Sequence, residues 1–184
     1  MHRRRDTTLR SWRPDGDLDA MFRRYYARLR EIAAGYFRDE SGYRTLQPTA
    51  IVNEAYVRLS TDEELRWHSG PHFLSFAARV MRQVLVDAAR EKSFKKRGGA
   101  ATRVTLVDGS LLSLPRDPDV LDVERALERL EHRDPRKASL VQMRFFGGLT
   151  IDEAAEVLDV SVATANREWR AARAWLGREL EQAP

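Results

Sequence analysis

Apolar residues recur through most of this chain at intervals of three and four, the rhythm of helices with one buried face. The first run follows Asp17, a suitable helix cap. It carries Leu18, Met21, Phe22, Tyr25, Tyr26, Leu29, Ile32, Ala33 and Tyr36. Pro48 suits the first turn of a second helix, where its missing N–H has no partner to lose. Ile51, Val52, Ala55, Tyr56 and Leu59 form that helix's apolar face. Pro71 opens a third helix, running to Arg90, with Phe73, Phe76, Ala77, Val80, Val84, Leu85 and Ala88 along one stripe. No segment shows the sustained strand alternation between hairpin turns that a sheet requires. The pattern predicts an all-α fold.

The rhythm stops between Gly98-Gly99 and Pro115, then resumes. A stretch of that length without helical period is longer than compact domains usually hold internally, so it reads as a linker. Two helices follow, over 120–130 and 135–146, the second ended by Gly147-Gly148. Thr150-Ile151-Asp152-Glu153 has the spacing of a capping box. The short helix it starts buries Ile151, Ala154, Ala155 and Leu158. After the turn Asp159-Val160-Ser161, Ser161 caps a last helix with Val162, Ala165, Trp169, Ala172, Leu176 and Leu180 inside. Asp159 holds the turn position usually given to Gly, and Asp tolerates a left-handed backbone. The predicted organisation is a basic arm (1–16), a helical domain (17–97), a flexible linker (98–118) and a second helical domain (119–184).

Composition narrows the class. The chain has 184 residues, room for one ordinary domain or two small ones. At 42% hydrophobic it is not a disordered chain, and at 33% charged it is not membrane-embedded. No apolar run approaches the roughly 20 residues of a spanning helix. The N-terminal Arg3, Arg4 and Arg5 are not followed by the apolar stretch of a signal peptide. With no cysteine there is no disulfide, thiolate metal site or cysteine nucleophile, which fits a reducing cytoplasm. The net charge is only +4, but 28 of the 32 basic residues are arginine. Arginine forks suit phosphates and guanine edges, although a GC-rich genome would also favour them.

The candidate chemistry is recognition. The capped short helix, tight turn and longer helix over 150–180 have helix-turn-helix spacing, in which the second helix enters the major groove. Its outward face carries Asn166, Arg167, Arg170 and Arg173, groups that hydrogen-bond base edges and phosphates. Cap, turn and basic face together weigh against a plain helical hairpin with a solvated arginine face. Residues 79–103 hold eight basic side chains against two acidic ones. Such a stretch follows a nucleic-acid backbone, or forms a solvated face leading into a basic linker. Of the aromatics just before it, Phe73 and Phe76 lie on the apolar stripe and Trp67 is the freer one. His68 and His72 are four apart, but Ser69-Gly70-Pro71 prevents a helix from aiming both at one metal. There is no phosphate-binding glycine loop or nucleophile elbow, and no acid–base carboxylate pair beyond those serving helix termini. No enzyme, metal or cofactor is expected.

These pieces in this order resemble a bacterial RNA polymerase sigma factor of the extracytoplasmic-function (ECF) group, which has a region-2 domain, a linker and a region-4 domain. The likeness is clearest over residues 46–59, 73–97 and 149–180. It implies that Asn53 and Glu54 contact core RNA polymerase. Gln47 and Thr49 stand where many members carry an acidic pair. It implies further that Trp67, Val80 and Gln83 surround a flipped base of the melted non-template strand at the minus-ten element. Arg79 and Arg82 would hold its backbone, with Lys95 and Lys96 extending the contact. Thr164, Asn166, Arg167, Arg170 and Arg173 match positions that read the duplex of the minus-thirty-five element. The implied partners are core polymerase and promoter DNA, with no membrane; an anti-sigma factor, control by expression and control by modification are all left open.

Two other readings compete. A dimeric helix-turn-helix repressor or activator on duplex DNA would need a self-complementary interface or effector domain from residues 17–97. These offer instead a basic helix face and the Asn53-Glu54 helix. A nucleic-acid-processing enzyme would need a converging carboxylate or histidine cluster, which the sequence lacks.

Overall fold

The computed structural model describes residues 18–36, 47–62, 65–95 and 118–182. The basic arm, the capping Asp17, Lys96 and the linker over 98–117 lie outside them, as does the side chain of Lys95. Seven helices and no strand occur among the described residues: α1 (Leu18–Gly35), α2 (Pro48–Ser60), α3 (Gly70–Lys95), α4 (Val120–Arg133), α5 (Pro135–Phe145), α6 (Ile151–Val157) and α7 (Val162–Glu181). The all-α expectation is met.

The helix starts follow from side chains that satisfy orphan N–H groups. The Asp119 carboxylate accepts from the Leu121 N–H at 2.7 Å, and Asp134 from that of Lys137 at 3.1 Å, just before Pro135. The predicted capping box is present: Glu153 N–H donates to Thr150 Oγ1 (3.2 Å) and Thr150 N–H to Glu153 Oε2 (2.8 Å). Ser161 Oγ accepts from Thr164 N–H at 3.1 Å and starts α7.

Helices α1–α3 form one group and α4–α7 another. In the first, Phe22 meets Tyr56 and Phe73 edge-on, at centroid distances of 4.9 and 5.6 Å. Tyr26 does not share the stripe. It is 38% exposed, since neighbouring positions on a helix lie about 100° apart and Tyr25 takes the inward one. Helix α3 differs more from expectation. It runs on to Lys95 and buries Leu74, Ala78, Met81, Val86 and Ala89 besides Phe73, Ala77, Val84 and Leu85. One side packs on α1 and α2; the other packs on α4, α5 and α6. The two groups therefore share a continuous core.

Their junction is specific. A Cβ on Gly147 would stand 2.8 Å from the Ala78 Cβ and 2.7 Å from the Met143 carbonyl oxygen. Gly148, at φ +56°, lies against Ile32, where a Cβ would come within 2.9 Å of Cγ1. The buried Tyr36 hydroxyl donates to the Phe146 carbonyl, and burial pushes its pKa well up. Arg28 of α1 donates to both carboxylate oxygens of Glu153 (2.7 and 2.6 Å) and to the Gly148 carbonyl (3.0 Å). The Arg28 guanidinium, helped by Thr150, holds the Glu153 carboxyl below its ordinary range against the opposing effect of burial. A carboxyl depressed in the folded chain stabilises it above the unfolded value, about 4.3, and that contribution is lost as pH falls through the folded value. The melting temperature should therefore drop on acidification through this window, and the drop should be shallower in Arg28→Met. Equal acid slopes in melting curves of the two proteins would show that the pair contributes nothing.

Candidate nucleic-acid interface

Helices α6 and α7 cross at a turn built as the sequence requires. Leu158 ends α6, Asp159 takes φ +51°, and the Val160 N–H donates to the Ala155 carbonyl at 3.1 Å. Helix α7 buries Ala165, Glu168, Trp169, Ala172, Leu176 and Leu180. Trp169 packs edge-on against Phe145 at 5.2 Å, with the Arg144 guanidinium over its ring. Glu168 is 7% exposed and is held by the exposed Arg136 of α5, so α7 cannot roll without unpairing a buried carboxylate. The opposite face is thereby fixed outward. Arg167 and Arg170 are exposed, while Thr164, Asn166 and Arg173 are half-buried. None of the three arginines is ion-paired among the described residues.

The first group presents two surfaces. On α2, Asn53 is exposed and lines a groove of about 420 Å³ with Asp19, Phe22, Arg23, Tyr26 and Tyr56. Glu54 is also exposed, but Arg58 donates to it at 2.9 Å and to Asp87 of α3 at 2.7 Å. Its carboxylate is thus part of a Glu54–Arg58–Asp87 chain. On α3, Arg79 and Gln83 are exposed and Val80 is half-buried. Arg82 turns away, donating to Glu124 and Gln142 of the second group at 2.7 Å each. Trp67 is not the free aromatic expected of it: it is 5% exposed and packs edge-on against Phe73 at 5.4 Å. Its indole N–H is buried without a hydrogen-bond partner among the described residues.

A cationic, unpaired face on a capped helix-turn-helix is a duplex-reading arrangement, but many regulators have one. The comparison of the whole chain decides. A family model for ECF sigma factors matches residues 13–182. The chain belongs to the ECF sigma factor family. Searches of curated proteins and of solved structures returned no match. As an ECF sigma factor it serves transcription initiation, with RNA polymerase and promoter DNA as partners.

Sequence reasoning about this sigma factor missed four exposed apolar side chains, one of them Val162, expected inside but 41% exposed on the first turn of α7. Tyr26 and Val57 (53% exposed) flank the Asn53 surface, and Phe94 stands 87% exposed on the last turn of α3. Adjacent Tyr25-Tyr26 could have flagged Tyr26, because one stripe cannot hold both. Phe94 lies between Lys92 and Lys95, inside the basic stretch, whereas the aromatics expected to serve it precede it. The two histidines do meet, with ring centroids 4.0 Å apart and His68 N–H donating to His72 Nδ1 at 3.4 Å. No group of three metal-binding side chains occurs among the described residues, and no described helix is long and apolar enough to cross a membrane.

Proposed function

We propose that this sigma factor binds core polymerase through α1 and α2, reads the minus-thirty-five duplex with α7, and captures the melted minus-ten strand along α3. The unpaired cationic face of α7, fixed outward by the Glu168–Arg136 pair, is the observation that carries the reading. Asn166 is suited to an adenine edge, and the arginines to guanine or phosphate. On α3, Arg79, Gln83, Arg90 and Phe94 are exposed at spacings of four, seven and four, which puts them within one helical stripe. Cations, an amide and an aromatic ring in such a row follow a single strand and stack its bases. The work is binding rather than catalysis: strand capture offsets unstacking, a few kcal/mol per flipped base. In this reading α1–α3 serve as region 2 and α4–α7 as region 4.

The polymerase contact is testable on α2. Asn53→Arg with Val57→Asp changes two exposed positions on the outer side of the helix, so stability should move by less than about 1 kcal/mol. Affinity for purified core polymerase should fall at least tenfold, because charge is inserted on an apolar rim. Unchanged affinity in a fluorescence titration would remove this face of α2 from the interface.

A further inference from the structure

On the flank of α7, between its outward arginines and its buried face, Ala171, Trp175 and Arg178 recur at spacings of four and three and share one edge of the helix. That edge is one wall of a groove of about 250 Å³. The other wall is the corner between α4 and α5, which Asp134 makes tight. Its N–H donates to the Leu130 carbonyl at 2.7 Å and ends α4, while its carboxylate accepts from the Lys137 N–H at 3.1 Å and starts α5. Arg133 and Lys137 are thereby carried to the groove, beside the buried Leu130. Three cations, Arg133, Lys137 and Arg178, line it against the single carboxylate of Asp134, a formal balance of +2. That carboxylate is already taken by the Lys137 ammonium. Arg133 and Arg178 are exposed and have no carboxylate partner among the described residues. A helical side chain leans toward the N-terminus, so the half-buried Trp175 lies over the turn that Ala171 occupies, where a methyl group leaves its ring accessible.

We propose that this groove binds a purine nucleoside polyphosphate, its base stacked on Trp175 and its phosphates held by Arg133, Arg178 and Lys137. An indole beside guanidinium forks selects a flat ring that also carries several negative charges, and a purine offers the larger face. The volume sets how the ligand divides. The groove falls below the roughly 300–1,000 Å³ that encloses a drug-sized molecule, so it takes one ring system and leaves the phosphates at the open rim, where the arginines stand. A paired duplex can offer phosphates to those arginines, but it keeps its bases stacked and leaves the indole unused. Bound phosphates bring negative charge close to the reading face, since Arg167 lies one turn before Ala171 and Arg170 is next to it. Repulsion of the DNA backbone then weakens duplex binding, and duplex weakens nucleotide binding by the same factor. This coupling rests on the reading of α7 as the duplex-binding helix; the site itself does not.

The test titrates the full-length protein in a calorimeter with GTP, guanosine and inorganic tripolyphosphate, with EDTA and no DNA. GTP should bind at one site per chain. Guanosine lacks the charge and tripolyphosphate lacks the ring, and each should bind at least about fivefold more weakly, the low end of what stacking a base on an aromatic side chain is worth. Trp175→Leu keeps an apolar side chain in the groove and should bind GTP no better than tripolyphosphate, whereas Trp175→Phe should restore much of the difference. Arg133→Gln with Arg178→Gln changes two exposed positions, so it should melt like wild type and bind GTP no better than guanosine. GTP that binds no tighter than tripolyphosphate, or equally to wild type and Trp175→Leu, would overturn the site and leave a general attraction of polyanions to a basic chain. The arginine variant decides independently of any folding defect at Trp175. Undiminished GTP affinity there would also overturn the site, and weaker duplex binding alongside it would assign the groove to DNA backbone. Saturating GTP should weaken binding to duplex fragments selected by the wild-type protein by at least about fivefold, the low end of such couplings, and should not do so in the arginine variant. A protein that binds both without mutual effect would overturn the coupling and leave the site. Failure of α7 to bind any duplex would instead overturn the reading beneath the coupling, and the DNA-free titrations would stand.

Discussion

Trp67→Ala is expected to destabilise the fold by about 3–5 kcal/mol, the range for truncating a buried aromatic, and to lose promoter opening as a consequence. The indole is buried against Phe73, and Phe73 in turn stacks on Tyr25 and meets Phe22, so the cavity would open in the centre of the first helical group. Against a domain stability of about 5–15 kcal/mol, this is a large fraction. Trp67→Phe should behave differently. It keeps most of the packing and removes an N–H that is buried without a partner among the described residues, itself a cost of about 1–3 kcal/mol, so loss and gain nearly cancel. Strand capture is better examined at Gln83, which is exposed on α3 and supports nothing beneath it. Gln83→Ala should melt like wild type and bind core polymerase normally, yet fail to open a duplex promoter. A pre-melted bubble template should restore much of its transcription. Permanganate reactivity of unpaired thymines reads the opening directly. Normal reactivity with Gln83→Ala would take Gln83 out of the strand site, and a Trp67→Phe variant that melts normally but does not open DNA would put the indole back into it.

Much of the fold is legible because local signals agree. Pro48 and Pro135 stand in first helical turns, Thr150 and Glu153 close on each other, and Asp159 takes the left-handed turn that only a few residue types accept. The face of α7 is legible for a related reason. Once Trp169, Ala172, Leu176 and Leu180 are inside, the arginines have one direction left.

What was not legible depends on contacts distant in sequence. A single amphipathic stripe describes a helix with one neighbour, whereas α3 has neighbours on two sides. The run Val84-Leu85-Val86 carried that information, since three consecutive apolar positions sweep about 200° of helix surface. Arg82 could not be assigned locally either. Whether a guanidinium faces solvent, a phosphate or Glu124 depends on what α4 brings to it, forty-two residues further along the chain. Trp67 read as free because it lies in a loop outside any periodic run. Its burial follows from Phe73 and the loop's return over α3.

The largest effect on duplex recognition should come from α7. Replacing Arg167, Arg170 and Arg173 together by Ala removes three cations that no carboxylate neutralises among the described residues, so the folded state loses no ion pair there and the melting temperature should hold. If each contacts a phosphate, the slope of log affinity against log salt should shrink by about 0.9 per arginine, about 2.7 in all. With affinity at about 1 M salt unchanged, that is roughly a 500-fold loss at about 0.1 M, shared by every sequence. Asn166→Ala should behave in the opposite manner. A lost bidentate contact to a base edge is worth about 1–3 kcal/mol, or about 5- to 150-fold, and only at the one or two pairs it touches. The two variants are best compared on genomic fragments selected by the wild-type protein, with affinity measured across salt. A base-reading Asn166 leaves the salt slope intact and broadens the set of fragments bound. Should Asn166→Ala instead weaken all fragments alike with a shallower slope, the side chain touches backbone, and the reading of base pairs must pass to Arg167 or Arg170.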